Sequence, residues 1–100
     1  MLFLCQFTWF PGTTREQVAT RLLLQHDAGA NNQSQIRGWY NLAGGGAGFL
    51  LVEYDDARQL TGFLQPSMDP MGFDVRAVTR LDYDERIREL RRIANPGSQR

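Results

Sequence analysis

The chain reads as an α+β protein of the ferredoxin-like, split βαβ kind. The expected order is β-α-β-β-α-β, a four-stranded antiparallel sheet with two helices on one face, plus a C-terminal helix. Three observations carry that reading. Apolar alternation marks four strands, capping residues open three helices, and a glycine-rich run joins the middle strands into a hairpin. A length of 100 residues leaves room for one domain, placed at 1–94, with a disordered tail at 95–100.

Leu2–Trp9 is rich in β-forming and aromatic residues and is closed by Pro11-Gly12. Phe3, Cys5, Phe7 and Trp9 share one face, and Leu2 and Leu4 the other, so both faces need a cover. Thr13 and Glu16 then spell a Thr-x-x-Glu capping box. The helix it opens carries Val18, Ala19, Leu22, Leu23 and His26 at helical spacing and stops at Gly29. Residues 30–35 are a polar loop. Segments 36–42 and 48–54 flank Ala43-Gly44-Gly45-Gly46-Ala47 and read as a hairpin with a wide or bulged turn.

Asp55 or Asp56 caps a second helix running toward Met68, with Ala57, Leu60, Thr61, Leu64 and Met68 on one face. Pro66 and Pro70 end it early or kink it. Residues 73–81 alternate, Phe73, Val75, Ala77, Thr79 and Leu81 against Asp74, Arg76, Val78 and Arg80, and form the fourth strand. Asp82 and Glu85 repeat the capping-box logic for the last helix. Its apolar stripe is Tyr83, Ile87, Leu90 and Ala94, and Asp82–Arg86 and Asp84–Arg88 are favourable i,i+4 pairs. Asn95-Pro96-Gly97 stops it.

Composition excludes more functions than it suggests. Acidic and basic side chains balance at 11 each, so no net field steers nucleic acid or a charged membrane toward the protein. Hydrophobic residues at 42% rule out a disordered chain. One cysteine and one histidine offer no metal-ligand spacing, so neither a metal nor another cofactor is expected. No run approaches the roughly 20 apolar residues of a membrane helix. The apolar start lacks a basic flank and turns polar at Gln6, so a cytoplasmic location is expected.

The face of the sheet away from the helices has no cover from its own chain. Alternation turns Phe3, Cys5, Phe7, Leu50, Val52, Tyr54, Phe73, Val75 and Ala77 inward. It leaves Leu2, Leu4, Gln6, Thr8, Phe49, Leu51, Glu53, Asp74, Arg76, Val78 and Arg80 open, with Arg37, Trp39 and Asn41 beside them on the second strand. An apolar patch of that breadth marks an interface. A homodimer is expected through Leu2, Leu4, Arg37, Phe49, Leu51, Glu53, Asp74, Arg76 and Val78, two sheets closing one dimeric α/β barrel.

That layout resembles the dimeric α/β-barrel superfamily, which includes small cofactor-independent monooxygenases, muconolactone isomerases and polyketide cyclases. More narrowly, the opening Met-Leu-Phe-Leu and the segment from Gly38-Trp39-Tyr40-Asn41 through Gly48-Phe49-Leu50-Leu51-Val52-Glu53-Tyr54 to Asp55-Asp56-Ala57 resemble a short bacterial family of unknown function. The likeness covers most of residues 1–81 and is carried by structural motifs. Where that family has a Trp-His pair this chain has Trp39-Tyr40, so no histidine site carries over to position 40. The resemblance implies a fold and supplies no reaction.

Candidate chemistry is sparse, and each residue has a plainer role beside the chemical one. The run Gly44-Gly45-Gly46-Ala47-Gly48 leads into a strand, whereas a phosphate loop leads into a helix, so it reads as a turn. His26 suits a general base or a cation at a helix end. Glu53 suits an acid or base if buried, or an ion pair with Arg37 or Arg76. Trp9, Trp39 and Tyr40 suit an aromatic pocket or simple core. Trp9, His26, Trp39, Tyr40 and Glu53 together make the candidate pocket. Cys5 lies mid-strand as a small hydrophobe, and Arg86, Arg88, Arg91 and Arg92 interleave with acids as a solvated face.

Two functions follow. One is binding or transforming a small apolar or aromatic molecule without a cofactor, in the manner of a monooxygenase, isomerase or cyclase. The other is a non-catalytic dimeric module whose surface or last helix engages another protein. A cavity with converging polar groups favours the first, and a filled core the second.

Overall fold

In the computed structural model, which describes residues 1–95, β1 (Leu2–Trp9) lies between two strands of the sheet and pairs antiparallel with both. The order along the chain is β1, α1 (Arg15–Asp27), β2 (Ile36–Asn41), β3 (Ala47–Glu53), α2 (Ala57–Leu64), β4 (Met71–Val78) and α3 (Tyr83–Ala94). Single 3-10 turns at Gln33–Gln35 and Gln65–Ser67 precede β2 and follow α2. The strands form one open antiparallel sheet in the order β2-β3-β1-β4. This is the α+β, ferredoxin-like arrangement. Residues 96–100 of the expected disordered tail lie outside the described residues.

The core forms where inward side chains of the sheet meet α1 and α2. Phe3, Cys5 and Val52 pack with Leu60 and Leu64 in one cluster, and Phe7 and Met71 with Val18 in a second. Leu50 and Phe73 join from the same side, as alternation requires. Val75 faces the helices yet stays 39% exposed, because β4 is an edge strand that the helix layer covers thinly. Beyond Val78 the strand ends, since Val78 already faces Leu2, the first residue of β1.

The helix starts differ in detail from the sequence pattern. Thr14, not Thr13, caps α1 and exchanges hydrogen bonds with Gln17 in a capping box. Thr13 is occupied elsewhere: its hydroxyl donates to the carbonyl of Pro70 at 3.0 Å. The inward row of α1 is Val18, Leu22 and Gln25, while Leu23 and His26 are exposed. Asp56 caps α2 by accepting from the Gln59 N–H at 2.8 Å. Pro66 sits in the 3-10 turn that closes α2 at Leu64.

The hairpin needs glycine at two kinds of place. Gly45 and Gly46 take φ of 81° and 76°, the left-handed region in which a side chain is strained. Gly48 begins the inward face of β3, where a Cβ would press on the Tyr40 carbonyl and lie 2.6 Å from Phe7 Cζ.

One correction matters for the site. Ile36 faces Val52 but Gly38 faces Leu51, so Arg37 is an extra residue, a β-bulge. Because strand side chains alternate with period two, one extra residue reverses every side chain after it. Trp39 and Asn41, expected on the open face, therefore sit opposite Leu50 and Gly48 on the helix side. Tyr40 takes the open face and stacks on Phe49, ring centroids 4.8 Å apart.

Helix α3 stands apart. The chain spans 61 × 29 × 18 Å with a radius of gyration of 18.2 Å, against about 13 Å for a compact chain of this length. No residue of α3 is buried. Asp82 caps it by accepting from the Glu85 N–H at 3.0 Å. The expected Asp82–Arg86 and Asp84–Arg88 pairs do not form; Arg86 turns to Glu89 at 3.0 Å instead.

Candidate functional site

Between the sheet and helices α1 and α2 lies a cavity of about 180 Å³. Strands supply an aromatic wall: Phe7 and Trp9 from β1, Trp39 from β2 and Phe73 from β4. Leu50 and Met71 fill in between, and Val18, Leu22, Phe63 and Leu64 close the helix side. The bulge at Arg37 is what brings Trp39 here, where its indole, 57% exposed, borders the mouth.

Four uncharged polar side chains reach the same space: Gln25, Asn31, Asn41 and Ser67. Gln25 and Ser67 are themselves buried and pair with each other, Gln25 Nε2 donating to Ser67 Oγ at 3.1 Å. The hydroxyl can instead donate to Gln25 Oε1, 3.3 Å away. Asn31 donates to the Leu22 carbonyl at 3.2 Å. Among the described residues, the Asn41 carboxamide has no hydrogen-bond partner in the protein.

Size and chemistry set what this space accommodates. An apolar cavity near 150 Å³ holds benzene, whereas drug-sized ligands need roughly 300–1,000 Å³. The cavity therefore matches one ring with a small substituent. Its lining residues carry no ionic charge, so a charged ligand would lose hydration with no compensating partner.

The candidate pocket residues of the sequence divide. Trp9 and Trp39 line the cavity. Tyr40 lies on the opposite face of the sheet, on Phe49. His26 is exposed at the end of α1, one residue past Gln25 and away from the cavity lining. Glu53, at the end of β3, accepts from the Met1 amino group at 2.7 Å. That hydrogen bond first, and the charges of the amino group, Arg37 and Arg80 after it, hold its carboxyl below the usual range. Cys5 is fully buried, and burial pushes its thiol up to about 11.

Gln25, Asn31, Asn41 and Ser67 escape a reading based on apolar pattern. The position of Gln25 carries the one usable signal: it falls seven residues after Val18 and three after Leu22, in the buried row.

The register places Leu2, Leu4, Phe49, Leu51, Glu53, Asp74, Arg76 and Val78 on the open face. Leu4 lies between Leu51 and Arg76, and Leu2 between Glu53 and Val78. Arg76 reaches Asp74 on its own strand at 3.4 Å. Arg37 sits at the bulge, at the sheet's other edge.

Among the described residues no three His, Cys, Asp or Glu side chains gather as metal ligands. No helix among them is long and apolar enough to cross a membrane. No curated protein matches the chain. The family model described as Domain of unknown function (DUF3303) matches residues 1–88, and the chain belongs to that family.

Proposed function

We propose that the protein binds a small uncharged molecule, a single aromatic or apolar ring, between its sheet and helices without a cofactor. One observation carries this: an apolar cavity of about 180 Å³ on which four neutral hydrogen-bonding side chains converge. Binding fits the lining better than catalysis does, because amides and a hydroxyl with no adjacent base can orient a ligand but do not titrate. The protein acts, on this reading, as a cytoplasmic homodimer of the dimeric α/β-barrel type. Support for the dimer is the open sheet face, where Leu2, Leu4, Phe49, Leu51 and Val78 lie among Glu53, Asp74 and Arg76.

Both tryptophans of the chain line the cavity, so intrinsic fluorescence reports on it directly. Benzene, toluene and phenol, with benzoate as the charged control, make the probe set. Saturable quenching by the neutral probes with a matching thermal shift, and none by benzoate, is expected. Neither signal from any neutral probe up to its solubility limit overturns the proposal.

A further inference from the structure

We propose that α3 pairs with α3 of a second copy, antiparallel about a two-fold axis, and locks the sheet-face dimer. The inference rests on the dimer reading above. Its first support is isolation. A helix of 12 residues is at the length where a lone helix is marginal in water, yet α3 buries no residue against its own chain.

The second support is the spacing of its apolar side chains. Tyr83, Ile87, Leu90 and Ala94 follow one another by four, three and four residues. That alternation of four and three places them at the a and d positions of a heptad, the seam of a two-helix contact, with Ile93 beside it. Glu85, Arg88, Glu89 and Arg92 occupy the side away from the seam.

The third support identifies the occupant. Asp84 and Arg91 flank the seam on one side and Arg86 and Ile93 on the other. Among the described residues neither Asp84 nor Arg91 has an ion-pair partner in its own chain. Antiparallel pairing sets like flanks together, so Asp84 meets the partner's Arg91, twice by symmetry. Large then meets small, Tyr83 against the partner's Ala94, while Ile87 meets the partner's Leu90. Parallel pairing would instead set Arg86 against the partner's Arg91 and Tyr83 against its own copy. The helix is self-complementary in one direction only.

A seam about 18 Å long, at 1.5 Å per residue, falls well short of the roughly 1,600 Å² of a standard interface. It therefore adds to the sheet contact rather than replacing it.

The test is sedimentation equilibrium on the full chain and charge-reversed variants, with circular dichroism to confirm folding. Asp84→Arg and Arg91→Asp should each weaken the dimer about fivefold or more, through two lost pairs and new like-charge contacts. The double variant Asp84→Arg/Arg91→Asp should return to within about twofold of wild type. Each change also opposes the helix dipole, so a mere loss of helix stability would accumulate in the double variant rather than cancel. Arg92→Asp, outside the seam, should leave assembly unchanged. A dimeric wild type indifferent to both single reversals, or a double variant weaker than either, overturns the α3 pairing and leaves the sheet-face dimer standing. A wild type that is monomeric, or a Leu4→Asp variant that still dimerises like wild type, overturns the sheet-face dimer itself.

Discussion

Gln25 on α1 and Ser67 in the turn after α2 are hydrogen-bonded at 3.1 Å, joining two elements 42 residues apart at the wall of the cavity. Both are buried, so neither group has free recourse to water. The pair ties α1 to the turn after α2 within the helix layer and presents a neutral donor and acceptor to whatever enters.

Replacing one partner should cost more than replacing both. Gln25→Leu leaves the Ser67 hydroxyl unsatisfied, at about 1–3 kcal/mol, and should lower the melting temperature by several degrees. Gln25→Leu combined with Ser67→Ala should recover part of that loss. In fluorescence titrations the double variant should prefer toluene over phenol. Differential scanning calorimetry and the same titrations check both points.

Gly48 should be intolerant of any side chain. Gly48→Ala presses a methyl group on the Tyr40 carbonyl and the Phe7 ring, an overpacking cost of about 1–3 kcal/mol. Gly44→Ala, with nothing within 4 Å of the added carbon, should be close to neutral. Urea unfolding of the two variants beside wild type separates a packing requirement from a general need for glycine in the hairpin.

Cys5 should be inert in the folded protein. Burial raises its thiol to about 11, so little thiolate exists near neutral pH and the sulfur is out of reach. Iodoacetamide should label it slowly in buffer and rapidly in denaturant, as mass spectrometry would show. Linkage gives a second readout. Its folded pKa lies above the unfolded one, so the unfolded chain loses its proton first as pH rises, and stability falls toward pH 11. Cys5→Ala should remove that part of the alkaline decline.

Much of this architecture is legible without coordinates. Phe3, Cys5, Phe7 and Val52 are buried as alternation requires, because a strand with one covered face has a strict two-residue period. Capping is readable to within one residue. Two threonines stand side by side, and only the carbonyl of Pro70, distant in sequence, decides that Thr13 is not the cap. Trp39 is misassigned for a sharper reason: the bulge is a matter of pairing with β3, and nothing in residues 36–41 alone announces it. The polar side of the cavity is the least legible part. Gln25, Asn31, Asn41 and Ser67 come from four separate segments and look like ordinary surface residues until the chain folds.

The bulge at Arg37 lets pairing across the hairpin, not alternation counted from Ile36, decide which aromatic ring serves which face. Trp39 and Tyr40 are neighbours of similar bulk, one at the mouth of the cavity and the other stacked on Phe49 across the sheet. Deleting Arg37 would leave Ile36 opposite Val52, Trp39 opposite Leu50 and Tyr40 opposite Phe49 in an unbroken ladder, so both rings would keep their faces. Relatives lacking that one residue would thus keep both pocket and outer surface, the difference in length being absorbed at the sheet edge.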